Sequence, residues 1–278
     1  MSDHAPSHAH RHGHDDGSLA RLLDLDAVVH QSLLNEVMTW LQGVVSAEPV
    51  RRILDVGAGS GSGTEALARR FADAEVTALD VSEHMLDRVR SRGNAAGLSA
   101  RVSTALADVS VGIGELGGFD LAWAAMSLHE IADPAQAFRN LDAALRPGGH
   151  LAVVETDQSP RVLPADLTGF EERINAVVDR SGPHAADHPD WTPFLQAAGL
   201  TLVEQRTFTT LGSAPGSGPA GEYARLNLQR MADAVLTQLE AEDQATLESL
   251  LGTGPDAVQH LTLSIRGART AWLAQRPV

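Results

Sequence analysis

The 278-residue sequence predicts an α/β fold: a seven-stranded, largely parallel sheet with helices on both faces and helical lid insertions. Over residues 50–157, apolar stretches of strand length alternate with amphipathic helical stretches. Such alternation is typical of parallel strands joined by crossover helices. A last strand-like stretch follows a long excursion from this core, and we expect that final strand to be antiparallel.

The elements are predicted in chain order from the spacing of their apolar residues. Residues 20–45 repeat apolar side chains every three or four positions, which predicts a helix. Strands are predicted at 50–57, 75–81, 101–108, 117–126, 150–157, 199–210 and 261–277. Helices are predicted at 62–72, from Ser82 onward, and at 134–149, 170–180, 190–199, 222–237 and 241–251.

These elements suggest a division of the chain into seven segments. We predict a disordered histidine-rich tail (1–18), N-terminal lid helices (19–48), a cofactor-binding core (49–157), a lid insertion (158–190), a core helix with the sixth strand (191–210), a helical lid insertion (211–260) and the final core strand (261–278). Glycines and prolines at 212–221 predict a linker that acts as a gate. In the tail, His8, His10, His12 and His14 could hold a metal if extended, but we favour incidental affinity and predict no metal site.

Composition excludes several classes of function. The chain has no cysteine and its 21 basic residues are all arginine. Disulfides, a cysteine nucleophile, a lysine phosphate loop and Schiff-base chemistry are therefore excluded. A formal charge of −15 argues against nucleic-acid binding. Without an apolar run of membrane-span length or a secretory segment, we expect a cytoplasmic protein that does not cross a membrane.

The segment ILDVGAGSGSGT, residues 53–64, places glycines directly after a predicted buried strand. Glycine lets other atoms approach the backbone closely, so the loop itself is a candidate ligand site. Asp80 ends the next strand, 23 residues after Gly57, a spacing that suits a carboxylate on a ribose. The dinucleotide fingerprint fails at Ser62, whereas the pattern D-x-G-x-G-x-G is complete from Asp55 to Gly61.

These motifs resemble those of the class I methyltransferases that depend on S-adenosyl-L-methionine (SAM), in the small-molecule group. LDVGAGSGSGT resembles the first motif, ALDVSEHML the second and ALADVS the third, and the segment from FDLAWAAM to LAVVE resembles the fourth and fifth strands. The resemblance covers residues 50–157 and, more loosely, the terminal RTAWLAQRP. Four motifs in the right order are more specific than any one of them.

The resemblance implies a role for each residue of the cofactor site. The glycine loop would pass under the methionine part and ribose, Asp80 would bind the ribose, and Asp108 would meet the adenine amine. The cofactor-binding residues that it implies are Asp55, Gly57, Ala58, Gly59, Gly61, Asp80, Val81, Met85, Asp108, Val109 and Ala125. The acceptor is expected to be a small molecule, and His129 is the candidate catalytic base, ahead of Glu130, Asp157, His30, His184 and His188.

Two other functions stay open at this point. A catalytically silent SAM-binding module that regulates a partner would carry the same cofactor motifs. A nicotinamide-dependent oxidoreductase is less favoured, because Ser62 breaks its fingerprint and a chain without lysine cannot supply the Tyr-x-x-x-Lys pair of the short-chain type. The sequence predicts neither the acceptor nor the oligomeric state.

Overall fold

A computed structural model describes residues 16–45, 48–157, 161–181 and 190–278. Its strands are β1 (Arg52–Val56), β2 (Glu75–Asp80), β3 (Val102–Leu106), β4 (Phe119–Ala125), β5 (Leu145–Thr156), β6 (Thr201–Pro215) and β7 (Thr262–Gln275). Its helices are α1 (Asp16–Val29), α2 (Gln31–Val44), α3 (Ser62–Arg70), α4 (Glu83–Ala95), α5 (Pro134–Ala144), α6 (Thr168–Ser181), α7 (Thr192–Ala197), α8 (Pro219–Val235) and α9 (Ala241–Leu251). The histidines of the tail, His184 and His188 lie outside the described residues.

The strands that the structure describes form one seven-stranded sheet in the order β3-β2-β1-β4-β5-β7-β6. Strands β1 to β5 pair in parallel, and β7 runs antiparallel to both β5 and β6. The predicted fold class, including the reversed last strand, is confirmed. Because the strand order changes direction beside β1, the carboxyl ends of β1, β2 and β4 border a crevice, where open parallel sheets bind ligands.

Apolar side chains cover both faces of the sheet. On one face, Trp272 of β7 packs in a core with Phe138 of α5 and Trp191, which precedes α7. On the other face, Trp123 of β4 packs in a core with Trp40 of α2. A third core joins α1, α6, α8 and α9 into a cover at the carboxyl end of the sheet; its members include Leu25, Phe170, Tyr223 and Leu250.

Three element boundaries differ from the sequence-based predictions. The predicted helix over 20–45 is two helices, since His30 adopts φ −103° and ψ 22° between α1 and α2. The helix predicted over 134–149 ends at Ala144, because Leu145 already pairs with Phe119 of β4. The predicted linker at 212–221 is instead partly strand, because β7 is long enough to pair with β6 as far as Pro215.

The glycines after Pro215 are tightly packed. A Cβ atom at Gly216 would lie 1.9 Å from the carbonyl oxygen of Val258, and one at Gly221 would lie 1.6 Å from the carbonyl oxygen of Gly216. The Gly216 N–H also donates a hydrogen bond of 2.8 Å to Leu261. These glycines therefore permit a close backbone approach, which is a different use from the flexible gate that composition suggested.

Within the described part of the chain, no helix combines the length and apolar character needed to cross a bilayer.

Candidate functional site

The glycine loop joins β1 to α3 and curls over the end of β2. Gly57, Gly59 and Gly61 all have positive φ, at 66°, 51° and 86°, which favours glycine at each position. The N–H groups of Gly57 and Ala58 donate to the carbonyl of Leu79 at 2.8 and 3.0 Å. The backbone conformation of the loop therefore explains why the sequence has glycine at these three positions.

Asp80, the last residue of β2, fixes this loop. One oxygen of its carboxylate accepts a hydrogen bond from the Gly59 N–H at 2.8 Å, and the other accepts from the Ser82 N–H at 2.9 Å. Ser82 in turn caps α4, since its hydroxyl accepts from the Met85 N–H. One carboxylate thus joins the glycine loop to the start of α4 at the edge of the crevice.

Asp55 lies beneath the first turn of α3. Its side chain is buried and accepts a 2.5 Å hydrogen bond from the Thr64 hydroxyl. Burial and the nearby charge of Asp80 raise the pKa of Asp55 to about 7, although the hydrogen bond from Thr64 acts in the opposite direction. Its contact with Thr64 holds the end of β1 to the first turn of α3.

The ends of β2 and β3 offer apolar and acidic surface side by side. Val81 is 68% exposed, which is unusual for valine, and Asp108 is exposed as well. One oxygen of Asp108 accepts from the backbone and hydroxyl of Ser110 at 2.8 and 2.6 Å. Met85 and Val109 are buried beside them. The arrangement suits a flat, partly apolar ring whose edge carries an amine.

Helix α1 forms one wall of the glycine loop. A Cβ atom at Gly59 would lie 3.1 Å from Leu23 Cδ1 of this helix. Asp24, one residue on, forms ion pairs with Arg88 at 2.5 Å and with Arg92, both on α4. The Arg92 side chain also donates to the carbonyl of Ser60 within the loop. Because these contacts join distant segments, sequence reasoning did not assign them.

The β4 to α5 connection is organised by Glu155 near the end of β5. Its carboxylate accepts from the N–H groups of Ser127 and Leu128 at 3.1 and 2.9 Å, and contacts His129 Nδ1 at 2.8 Å. Glu155 is buried, and sequence reasoning missed it. The only available signal was an acid in the apolar strand sequence LAVVETD, where a charge is costly unless it is paired.

His129 is held in its charged form by this arrangement. Burial favours the neutral ring, but hydrogen bonds and charge interactions with Glu130 and Glu155 outweigh it and raise the pKa of His129 to about 10. At neutral pH the ring is therefore an imidazolium, whereas a general base needs a free lone pair. The base role of His129 stays a prediction that this charge state does not support.

Two cavities lie beside this connection. One, of about 210 Å³, is lined by His129, Glu155, Thr156, Asp157, Asp190, Trp191, Gln205, Thr270 and Trp272. The other, of about 50 Å³, lies under the cover and is lined by Asp26, His30, Leu33, Met126, Thr156, Tyr223, Arg266, Gly267, Ala268 and Arg269. Met126, directly after β4 and next to Ala125, has a φ of 55°, a strained value for a residue with a side chain.

The residues predicted for the cofactor thus lie at or just after the carboxyl ends of β1 to β4, while His129 lies in the segment that follows β4. Asp55, the three glycines and Asp80 surround the ends of β1 and β2, and Val81, Met85, Asp108 and Val109 follow toward β3. No group of three or more potential metal ligands occurs in the ranges that the structure describes.

The sequence of the chain is similar to those of known methyltransferases. Residues 53–149 match a family described as a methyltransferase domain. Over 190 residues the chain is 33% identical to a trans-aconitate 2-methyltransferase of Methylobacterium radiotolerans, covering 68% of this chain and 66% of that protein. It is 26% identical over 200 residues to the ubiquinone/menaquinone biosynthesis C-methyltransferase UbiE of Cereibacter sphaeroides, covering 72% and 77%.

The fold has a counterpart among solved structures. The chain superposes on the phosphoethanolamine N-methyltransferase 2 of Haemonchus contortus, in complex with phosphomonomethylethanolamine and S-adenosylhomocysteine, with a TM-score of 0.54. The two share 17% identity, and the match covers 96% of this chain and 59% of the other. At that identity the likeness concerns the fold alone.

Proposed function

We propose that the chain, a member of the class I SAM-dependent methyltransferases, transfers a methyl group from SAM to a small molecule bound under the cover of α1, α6, α8 and α9. The relatives differ in the acceptor that they are named for, and they include a C-methyltransferase and a trans-aconitate methyltransferase. The names of the relatives therefore do not identify the acceptor of this chain.

The observation that carries the proposal is the Asp80 carboxylate, which joins the glycine loop to α4 at the end of β2. A carboxylate has about four acceptor sites, so two remain for the hydroxyls of a ribose. Val81 and Asp108 would meet the adenine ring and its amine. SAM carries no phosphate, so its site needs no free cation, and Arg92, which contacts the loop, is paired with Asp24 and Glu65. When bound, SAM supplies an electrophilic methyl group on a sulfonium.

The rest of the chain would orient the acceptor and exclude water. Met126 directly follows β4 under the cover. Residues of α1, α2, α8 and β7 line the small cavity beside it. Proximity and orientation account for much of the rate of such a displacement. We propose that the reacting group of the acceptor enters this cavity, and that the described residues of the predicted lid segments 19–48, 158–190 and 211–260 enclose the remainder.

His129 would act here as a cation that orients the β4 to α5 connection. Its ion pair with Glu155 holds the segment that carries Ser127 against the glycine loop, where a Cβ atom on Gly57 would lie 2.4 Å from Ser127 Cβ. This positioning role needs the charged ring.

A screen of small acceptors with methyl-labelled SAM tests the function. We expect at least one compound to gain the mass of one labelled methyl group, and the Asp80→Ala protein to lose most of that product. SAM binding without a methylated product in any chemical class would favour a silent SAM-binding module. If the fluorescence of NAD(P)H shows that this cofactor binds and SAM does not, the result would favour the oxidoreductase.

A further inference from the structure

Four polar side chains, from α1, the junction of α1 and α2, α8 and β7, meet around the small cavity. His30 and Tyr223 are buried, whereas the Asp26 side chain is 25% exposed and that of Arg269 is 12% exposed. Asp26 of α1 forms an ion pair of 2.6 Å with Arg269 of β7 and accepts a 3.0 Å hydrogen bond from the Tyr223 hydroxyl of α8. His30, at the junction of α1 and α2, lies 3.8 Å from Asp26 through its Nε2 atom. The cluster thus brings together residues up to 243 positions apart in the sequence.

His30 is the member of this cluster with unused hydrogen-bonding capacity. It is only 4% exposed, and its Nδ1 atom has no hydrogen-bond partner among the residues that the structure describes. A Cβ atom on Gly267 of the cavity wall would lie 3.4 Å from His30 Cε1 and 3.8 Å from Nδ1, so this edge of the ring borders the cavity wall. A buried polar atom without a partner costs about 1–3 kcal/mol, so a group that fills this position is expected.

The size and charge of the cavity restrict that group. About 50 Å³ is room for a small polar group, since about 10–15 Å³ of such volume already holds a water molecule. Arg266 and Arg269 both line the wall, so an ammonium is disfavoured. A carboxylate is already ionised and needs no base. An un-ionised hydroxyl fits the size of the cavity, adds no positive charge beside its arginines, and can donate a hydrogen bond to the unpartnered Nδ1 of His30.

The surrounding charges keep His30 ready to accept a proton. Burial lowers the pKa of His30, and Arg269 lowers it further, against the opposing charge of Asp26. Burial disfavours ionised Asp26 as well, but Arg269, His30 and Tyr223 outweigh it and hold its pKa below the usual value. The pKa of the Tyr223 phenol is raised, so Tyr223 stays a donor. Arg266 is the other charged group on the cavity wall, and it pairs with Glu171.

We propose that His30 is the general base for methyl transfer to an un-ionised hydroxyl group, and that Asp26 positions it. This inference rests on the proposed function. The hydroxyl proton passes to His30 Nδ1 while the acceptor oxygen forms its bond to the methyl carbon and the carbon–sulfur bond breaks, with its electron pair remaining on sulfur. The products are the methyl ether, S-adenosylhomocysteine and His30 in its charged form, which Asp26 stabilises until the proton leaves to solvent.

The experiment compares wild type, H30Q and H260Q, the last altering an exposed histidine outside the site. Each protein is given methyl-labelled SAM and matched sets of hydroxyl, carboxylate and amine compounds with the same carbon skeletons. We expect hydroxyl compounds alone to be methylated, kcat to fall about 10²–10⁴-fold in H30Q with little change in acceptor KM, and H260Q to match wild type. The acidic limb of the wild-type pH profile should vanish in H30Q.

Two readouts do not depend on turnover. Calorimetry should give H30Q and wild type the same SAM affinity. In NMR spectra of protein with ¹⁵N-labelled histidine, the signal of His30 is the one that H30Q lacks. This signal should show that Nδ1 of His30 carries no proton at neutral pH. In a further activity assay, imidazole should restore part of the activity of H30A, which it would not do for a purely structural histidine.

The outcomes separate this inference from the proposed function. Methylation confined to carboxylates or amines, a protonated Nδ1, or unchanged kcat in H30Q would each overturn the role of His30 while leaving the methyltransferase function intact. A wild-type protein that binds no SAM and methylates no compound would overturn the proposed function itself.

Discussion

The carboxylate of Asp80 accepts a hydrogen bond of 2.8 Å from the backbone N–H of Gly59. This bond ties the second strand to the loop that follows the first, across 21 residues of sequence. A residue placed by its spacing as a ribose ligand therefore has a second task, which is to set the shape of the glycine loop. Ligand affinity and loop order should consequently change together when Asp80 is altered.

Gly57→Ala should lower both stability and SAM affinity. A Cβ atom there would lie 2.4 Å from Ser127 Cβ, and the φ of 66° strains any residue with a side chain by about 1–2 kcal/mol. Gly97→Ala is the matched control, because Gly97 has a φ of 71° and a Cβ atom there would meet nothing within 4 Å. Denaturant unfolding should show a larger loss for Gly57→Ala. Equal losses would mean that the contact with Ser127 is unimportant.

Asp55→Asn should change the pH dependence of stability. The pKa of Asp55 is raised to about 7 in the folded protein, from about 4 in an unfolded chain. Ionising this buried group therefore destabilises the fold progressively from about pH 4 to pH 7, and fully above that range. The free energy of unfolding of Asp55→Asn relative to wild type should rise across this window, on the order of 1–4 kcal/mol. A difference that is constant with pH would contradict the raised pKa.

The stability of His129→Gln relative to wild type should also rise with pH, but over a higher pH range than for Asp55→Asn. The pKa of His129 is about 10 when folded and about 6.5 when unfolded, so its ion pair stabilises the protein fully below pH 6.5. That stabilisation is lost as pH rises toward 10. Because the ring is a third exposed, we expect a difference on the order of 1 kcal/mol between wild type and variant at pH 6 that shrinks by pH 9.5. Thermal unfolding at a series of pH values measures it, and a difference that grows with pH would reject the charged pair.

Much of the fold was predictable because local patterns and the global topology agree. The alternation of strands and helices over 50–157 determines the parallel core, and the glycine loop carries its backbone requirements in its sequence. Each boundary error has an identifiable cause. His30 fits the helical spacing but turns the chain, and β6 extends because its partner β7 is long. Pairing with a distant strand overrides the turn chemistry of Gly212 and Pro215.

The site was predictable only where its residues follow strands of the core. Asp80 and Asp108 could be found because strand ends meet at one edge of a parallel sheet. The cluster of Asp26, Tyr223 and Arg269 could not, since three separate elements contribute it and no spacing links them. The charge state of His129 could not be predicted from the sequence either, because its pKa depends on Glu155 of the neighbouring strand.

We propose that SAM binds across the ends of β1 and β2 with Asp80 as its anchor, and calorimetric titration of SAM measures this binding. Wild type should bind SAM, and Asp80→Ala should bind it about 10–100-fold more weakly, as expected for the loss of charge-assisted hydrogen bonds. Asp73→Asn, which alters an acid whose side chain is 81% exposed, should match wild type. Equal affinity of Asp80→Ala and wild type, or no SAM binding by wild type, would contradict the claim.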